Sequence, residues 1–455
     1  AHPTNPVQTC SVANGSGVIN ASNVTNVVVD CVRVTSQGTD FWLTFPDHAC
    51  VSAPASCAPD DSVAVKLIIS AVAATSGIVI VNGVTTPFTV ANAGQSVITL
   101  DPGVVLTSNE TVEPKGVRVT AQLPVSVYAV IENRHSADGY LALPTATLGT
   151  RYYAVSRASP TIPGSQFALV ATQNNTAITV VPSAAGATRP AGVPFTVTLN
   201  AGETYQFQNT ATGDVSGSLI VADNAIAVFS GHRCAQVPGT AGSCDYLVEQ
   251  LPDTTRLGRT FYTMPFAGRS RYTVRIVATV DGTICALTPS VATCPTLDAG
   301  RPFEFETDTP VALALNHPAL VAQFMHSNQD ETDPSRQQGD PSMVMVAPME
   351  QGVPDAPFAV HGLAGTSGPM LNVITQTAAL ADLTLGGAPV DTGVFSVIGT
   401  SGFSAGSLIV APGTHLLRGS SPFNAYVYDY GTPADSVSYA YPVAHGVVVA
   451  NPAGR

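Results

Sequence analysis

The sequence predicts an all-β protein built as a tandem array of antiparallel β-sandwich repeats. The first observation is alternation: in "GVRVTAQLPVSV", Val117 and Val119 face one side while Arg118 and Thr120 face the other, which is typical of half-buried strands. The second is turn chemistry, because 39 Gly and 35 Pro punctuate these runs and argue against long helices. At most a helical turn or two is expected. The third is an internal repeat.

Three markers recur in the same order about every hundred residues. Apolar strands end in an aromatic residue at Tyr128, Phe229, Phe324 and Tyr426. A second apolar segment begins at Leu67, Leu169, Ile276 and Val373. An aspartate followed by an apolar run and a proline recurs at Asp138, Asp245, Asp340 and Asp435. A period of this length fits an immunoglobulin-like sandwich, and recurrence of the aspartate in every copy favours turn hydrogen bonding over ligand binding.

The markers place the repeats at 38–158, 159–264, 265–357 and 358–455. Residues 1–37 are predicted to form a disulfide-stapled N-terminal extension, because Cys10 and Cys31 lie near a valine-rich strand. The whole is expected to be a rod-like or arched array.

The charge pattern excludes several classes of protein. The net charge is −13, charged residues make up 11% of the chain, and Lys66 and Lys115 are the only lysines. The basic stripe that nucleic acid requires is therefore missing, and no apolar run reaches the roughly 20 residues of a membrane helix. A weakly charged surface favours adhesion or self-association. The first residues lack the features of a signal peptide, so any such segment would already have been removed.

The eight cysteines fall into four close pairs: Cys10 and Cys31, Cys50 and Cys57, Cys234 and Cys244, and Cys285 and Cys294. An even number at short spacing favours local disulfides and an oxidising, extracellular compartment. Zinc is the alternative, but it usually takes Cys-x2–4-Cys pairs, and these intervals are longer. No cofactor or metal is predicted.

The stretch "GHRCAQVPGTAGSCDYLVEQLP" (231–252) resembles a metal or nucleophile site at first sight. A catalytic cysteine does not need a second cysteine ten residues later, whereas a stapled hairpin loop does. Such a crosslink contributes roughly 2.5–3 kcal/mol in the chain-entropy description. We interpret the stretch as a stapled loop.

Basic and acidic loop residues are the remaining candidates for a site. Arg134, His135, His232 and Arg233 fall in predicted loops at one end of the sandwiches and are possible binding residues. The alternative is that they only satisfy loop carbonyls. In "NQDETDP", Asp330, Glu331 and Asp333 are a weak calcium candidate, although the twelve-residue calcium loop is missing and a solvated acidic loop fits better.

Four segments resemble a known family: "GTDFWLTFPDH" (38–48), "KGVRVTAQLPVSVYAVIENRHSADGYLALP" (115–144), "AVFSGHRCAQVPGTAGSCDYLVEQLP" (227–252) and "GDPSMVMVAPMEQ" (339–351). The pattern is similar to the N-terminal domain family of IgG-Fc-binding protein, which occurs in mucus-associated animal proteins and in bacterial secreted or surface proteins. The resemblance covers about 38–450. It implies an extracellular, all-β, binding or adhesive protein and supplies no catalytic residue.

The sequence therefore predicts a secreted, non-catalytic binding or adhesion protein whose partner is a protein or glycan at a surface. The alternative is a structural subunit that self-assembles into an extracellular filament, tube or surface layer. A carbohydrate hydrolase is the minor alternative, because β-sandwich glycosidases use scattered carboxylates that no short motif identifies.

Overall fold

The computed structural model of the chain describes residues 8–13, 27–58, 61–363, 368–432 and 437–454, which form mainly antiparallel strands. The predicted all-β class is confirmed. Among these residues the one α-helix is the single turn Ala49–Ser52. Short 3-10 helices span Pro54–Ser56, Pro102–Val104, Thr145–Thr147, Thr254–Arg256, Asn328–Asp330, Pro334–Arg336, Met349–Gln351, Thr377–Asp382, Thr392–Val394 and Pro452–Gly454.

The described strands form an N-terminal hairpin and four larger sheets, which we call units 1 to 4. The hairpin pairs β1 (Gln8–Ala13) with β2 (Val28–Arg33). Unit 1 contains β3 (Gly38–Leu43), β4 (Ala64–Ala71), β5 (Thr75–Val81), β6 (Val84–Val90), β7 (Gly94–Leu100), β9 (Val117–Glu132) and β10 (Ala137–Leu141). Unit 2 contains β8 (Val112–Glu113), β11 (Gly149–Tyr153), β12 (Ser165–Ala171), β13 (Thr176–Val181), β14 (Phe195–Leu199), β15 (Thr204–Gln208), β16 (Leu219–Ala235) and β17 (Asp245–Gln250). Unit 3 contains β18 (Gly258–Thr263), β19 (Tyr272–Ala278), β20 (Cys285–Thr288), β21 (Pro302–Thr307), β22 (Val311–Met325) and β23 (Ser342–Met345). Unit 4 contains β24 (Val353–Val360), β25 (Met370–Gln376), β26 (Thr384–Leu385), β27 (Ala388–Pro389), β28 (Phe395–Val397), β29 (Phe403–Ile409), β30 (Gly413–Tyr430) and β31 (Ser438–Pro442).

Each unit is organised around one long strand: β9, β16, β22 or β30. Its first half pairs with the opening strand of the unit, and its second half pairs with an inner strand and with the closing strand. We call these the outer and inner half-sheets. The opening strands β11 and β18 precede the predicted boundaries at 158/159 and 264/265, yet they pair with β16 and β22. The aromatic markers lie in the second half of each long strand, so they carry no information about where the opening strand begins.

The inner strands β4, β12 and β19 are buried on both faces over most of their length. In β4, Leu67 and Ile69 pack in the core of unit 1, whereas Ile68 packs against unit 4. The equivalent strands β12 and β19 are buried throughout. Such strands are buried along both faces and are mainly apolar, which differs from the predicted alternation. Alternation describes the outer strands, such as β13.

The units form a closed ring, so the expectation of a rod or arch is wrong. Each aromatic marker packs into the apolar core of the preceding unit: Phe229 into unit 1, Phe324 into unit 2, Tyr426 into unit 3, and Tyr128 into unit 4. The ends also meet, since the N–H of Ser36 donates to the carbonyl of His445 at 2.8 Å. An open array would expose the apolar face around Tyr128, and closing the ring buries it.

The closing strands β10, β17, β23 and β31 meet at the centre of the ring. Asp138 lies on β10 with no exposed surface. Its carboxylate accepts from the N–H groups of Val248 (3.1 Å), Met343 (3.2 Å) and Ala440 (3.1 Å), one from each of the other units. The recurring aspartate is therefore not a turn residue in unit 1: it connects all four units. Asp435 lies outside the described residues.

Candidate binding face

The loops that precede the closing strands gather at one end of the ring. We call loops 133–136, 236–244 and 326–341, with residues 431–432, the loop face. The N–H of Ser327 donates to the carbonyl of Val237 at 2.6 Å, and the N–H of Gly339 donates to that of Gly431 at 3.2 Å. The loop of unit 3 thus contacts the loops of units 2 and 4. The closed ring turns loops that are distant in sequence into one surface.

The predicted basic residues occupy different environments on or near this face. Arg134 is exposed. The side chain of His135 is 40% exposed, and its Nδ1 lies 2.8 Å from Oδ1 of Asp61. His135 is therefore accessible to a partner while its ring is oriented by a carboxylate.

His232 and Arg233 lie in strand β16 and not in a loop. His232 is buried, its Nδ1 accepts from the N–H of Cys234 at 3.0 Å, and burial lowers the pKa of its ring to about 3. Nη1 of Arg233 lies 3.8 Å from Oδ2 of Asp47 in unit 1. Arg233 therefore connects units 1 and 2 and has partial access to solvent, whereas His232 is a buried residue of unit 2.

The acidic trio of the weak calcium candidate is divided among separate partners. Asp330 binds both Arg271 and His326. Oε1 of Glu331 accepts from the N–H of Ser270 at 2.7 Å. Asp333 caps the turn at 334–336. Within the described residues, no group of three or more His, Cys, Asp or Glu side chains is arranged to hold a metal ion.

Two disulfides support this end of the ring. Cys50–Cys57 staples the segment after β3, and Cys234–Cys244 staples the loop of unit 2, as interpreted from the sequence. Cys285–Cys294 lies in the outer half of unit 3. In the remaining pair, Cys10 faces Cys31 across the N-terminal hairpin, whose side chains lie outside the described residues.

Among the described residues beside the loop face, ion pairs occur at three of the four junctions between units. The junction of units 1 and 2 has Arg233 with Asp47. The junction of units 4 and 1 has Glu132 between Lys66 and His361, and although burial raises the pKa of Glu132, these hydrogen bonds lower it overall.

The junction of units 2 and 3 is the most charged. Arg275 binds Asp214 at 2.5 Å and Glu304 at 2.8 Å. Arg157 reaches the same Oε2 atom of Glu304 at 2.9 Å. Both arginines are only 7% exposed. This junction therefore closes around two nearly buried cations and two carboxylates.

The junction of units 3 and 4 is different, because its polar contacts are mainly uncharged. Nδ2 of Asn372 donates to the carbonyl of Pro265 at 3.0 Å and lies 2.8 Å from the hydroxyl of Tyr426. Beside this network, Ala267, Gly268, Arg269, Ser335, Arg336, Gln338, Met370 and Tyr430 line a cavity of about 220 Å³. The cavity opens next to the loop face.

A second cavity lies at the opposite end of the central strands. It is largely apolar, includes Leu141, Glu249 and His445, and holds about 40 Å³. That volume equals roughly one water molecule. It offers little room for a ligand.

The sequence did not identify the residues that connect the units. Arg275 interrupts the apolar run "YTVRIVA", and a charge inside a buried strand is a signal that could have been used. Arg269, in "FAGRSRY", gives no such signal, because glycine and charged neighbours are typical of any exposed turn. Asp47 lies in the segment "TFPDH" and has the same ambiguity.

Comparison with known proteins is consistent with this architecture. A family model described as IgGFc binding protein matches residues 138–428. The human IgGFc-binding protein is 30% identical over 278 residues, which is 58% of this chain. The matched region is only 5% of the human protein's length. Among the helices of the described residues, none is long and apolar enough to cross a membrane.

Proposed function

The chain belongs to the IgGFc-binding protein family, and from that premise we propose that it is a secreted, non-catalytic protein that binds a protein or glycan through its loop face. The observation that carries the proposal is the convergence of loops from different units on one surface. Loops held by a rigid scaffold are the usual place for recognition residues. The relative's name makes the IgG Fc fragment one probe to test, alongside a mucin glycoprotein.

The extracellular assignment is supported by the disulfides, since such crosslinks persist in oxidising compartments. The accessible polar side chains of the loop face, including His135 and Arg336, suit polar partners. The four sandwich-like units, with the hairpin as an N-terminal extension, serve as the scaffold.

The test is biolayer interferometry with immobilised human IgG Fc and, separately, immobilised mucin. The double variant His135→Ala, Arg336→Ala is compared with the matched control Arg418→Ala, whose 62% exposed side chain pairs with Asp355 on the outer half of unit 4. We expect saturable binding to one surface, weakened at least ~tenfold by the loop-face substitutions alone.

Two results would contradict the proposal: no saturable binding to either surface, or equal loss in the loop-face and control variants. Reducing-sugar release from the mucin is followed in parallel. Release that disappears on substitution of a single carboxylate would favour the hydrolase alternative.

Self-assembly is the second candidate function, and exposed apolar residues on edge strands favour it. Ile409 is 76% exposed on β29, and Val397 is 56% exposed on the neighbouring edge strand β28. Unpaired edges with apolar side chains promote association between copies. Light scattering over a concentration series tests this, and a constant 46.6 kDa particle would contradict it.

A further inference from the structure

Among the described residues, the buried Arg269 at the junction of units 3 and 4 makes no ion pair with a carboxylate, unlike the cations at the other three junctions. Arg269 is 5% exposed, its Nη1 donates to the carbonyl of Arg336 at 3.1 Å, and its guanidinium lies 5.0 Å from the ring centroid of Tyr430. Its Nε and Nη2 have no hydrogen-bond partner in the part of the chain that the structure describes. Buried polar groups are nearly always hydrogen-bonded, so these two donors need an explanation.

The two unpartnered donors form one edge of the guanidinium, and that edge has a defined preference. Arg271, two residues later, uses the same edge: its Nε and Nη2 hold the two oxygens of Asp330 at 2.8 and 2.6 Å. Such parallel bonds match the spacing of a planar carboxylate. The pairing of Arg271 with Asp330 therefore shows that the same edge of Arg269 is suited to hold a carboxylate.

Three described carboxylates of loop 326–341 are already bound to other groups. Asp330 is held by Arg271 and His326, and Glu331 accepts from Ser270. Asp340 accepts from the hydroxyls of Ser243 and Ser327, both at 2.8 Å. None of them makes a hydrogen bond to Arg269, although Asp340 lies close enough to interact with its charge.

The cavity beside Arg269 has the size and chemistry for one carboxylate-bearing group. Its volume of about 220 Å³ equals roughly seven water molecules. Met370 and the ring of Tyr430 provide apolar contacts, while Ser335 and Gln338 provide polar atoms. A small anionic group with an apolar side fits this lining better than a bare inorganic ion.

We propose that the junction of units 3 and 4 is a carboxylate-binding pocket in which Arg269 holds the ligand by a two-point hydrogen bond. The proposal rests on the binding function proposed above and specifies the chemistry of the ligand. The carboxylate can come from an acidic sugar or from the C-terminus of a peptide.

Isothermal titration calorimetry of the full chain separates the two sources. The probes are the methyl α-glycoside of N-acetylneuraminic acid and acetyl-Gly-Phe, each compared with its neutral derivative, the methyl ester or the amide. We expect one free acid to bind at least ~tenfold more tightly than its neutral form, because only the carboxylate accepts both bonds. Arg269→Met should remove this difference, and Arg269→Lys should weaken binding, because an ammonium cannot reproduce the planar fork.

The matched control is Arg301→Met, also in unit 3, whose 82% exposed side chain lies 3.9 Å from Asp298. It should bind the acid as the unaltered chain does. The pocket assignment is overturned if neither acid binds, if a neutral form binds equally well, or if both Arg269 variants, shown by circular dichroism to be folded, keep full affinity. Binding of a small acid without binding to IgG Fc or mucin would support the pocket while contradicting the macromolecular function.

Discussion

Two junctions join related sheets of the ring but differ in their polar contacts. The junction of units 2 and 3 is charged, and that of units 3 and 4 is mainly uncharged. In the first, Arg275 and Arg157 are neutralised by Asp214 and Glu304 from both sides of the junction. In the second, Arg269 is as deeply buried, but two of its donors, beside a cavity, have no hydrogen-bond partner among the residues that the structure describes. The equivalent junctions of a repeated scaffold can therefore be compared with one another. Where one junction lacks a carboxylate that the others have, a bound ligand can supply it.

The largest expected effect comes from removing the central arginine of the charged junction between units 2 and 3. Arg275→Met leaves Asp214 and Glu304 without their main cation and should lower the free energy of unfolding by about 3 kcal/mol, the low end for a buried pair because both acids are partly exposed. Arg269→Met should change stability by no more than about 1 kcal/mol, because Arg269 makes no hydrogen bond to a carboxylate among the described residues and interacts with Asp340 only through its charge. Urea denaturation of both variants measures the contrast.

The exposed variant Arg301→Met is the control here too, and should change stability by less than about 0.5 kcal/mol. Equal destabilisation by Arg269→Met and Arg275→Met would show that the two junctions do not differ as described.

The second prediction concerns the loops of these junctions. Loop 236–244 is stapled by Cys234–Cys244, whereas loop 326–341 contains no cysteine. The double variant Cys234→Ser, Cys244→Ser should lose roughly 2.5–3 kcal/mol, as expected for a ten-residue loop whose closure is no longer fixed in the unfolded chain. Thermal unfolding with and without reductant measures it. A reductant effect of equal size in the variant would assign the loss to the other disulfides.

The third prediction concerns how the unstapled loop is held. Asp340 ends that loop, and burial raises the pKa of its carboxyl to about 7, against the lowering effect of hydrogen bonds from Ser327 and Ser243. Because the folded state binds this proton more tightly than the unfolded chain, the stability from Asp340 is present below about pH 4 and is lost as the pH rises towards 7. Asp340→Asn should therefore gain stability relative to the unaltered chain over this interval, on the order of 2 kcal/mol.

The measurement is the difference between the two unfolding free energies from pH 4 to pH 8. Taking the difference removes the opposing contribution of buried histidines such as His48, whose pKa burial lowers to about 4. A flat difference curve would mean that Asp340 ionises alike in both states.

The sequence alone was enough to predict the all-β class and the three disulfides that the structure describes, because alternation, turn residues and short spacings are local properties. The sequence also locates the aromatic markers, but it does not show that they pack into a neighbouring unit. Tyr128 and Phe229 look like ordinary core residues of their own strands, and only the packed structure shows that each belongs to the core of the neighbouring unit.

Residue roles that depend on closing the ring are visible only in the tertiary structure. Asp138 reads as a turn residue until strands from three other units supply its hydrogen-bond donors. His232 reads as a loop ligand until burial fixes it in β16, and Arg269 reads as a surface charge until Tyr430 and the loop of unit 3 enclose it. These roles arise from contacts between residues that are up to 302 positions apart. A local sequence pattern does not indicate which distant donor or carboxylate a side chain will contact.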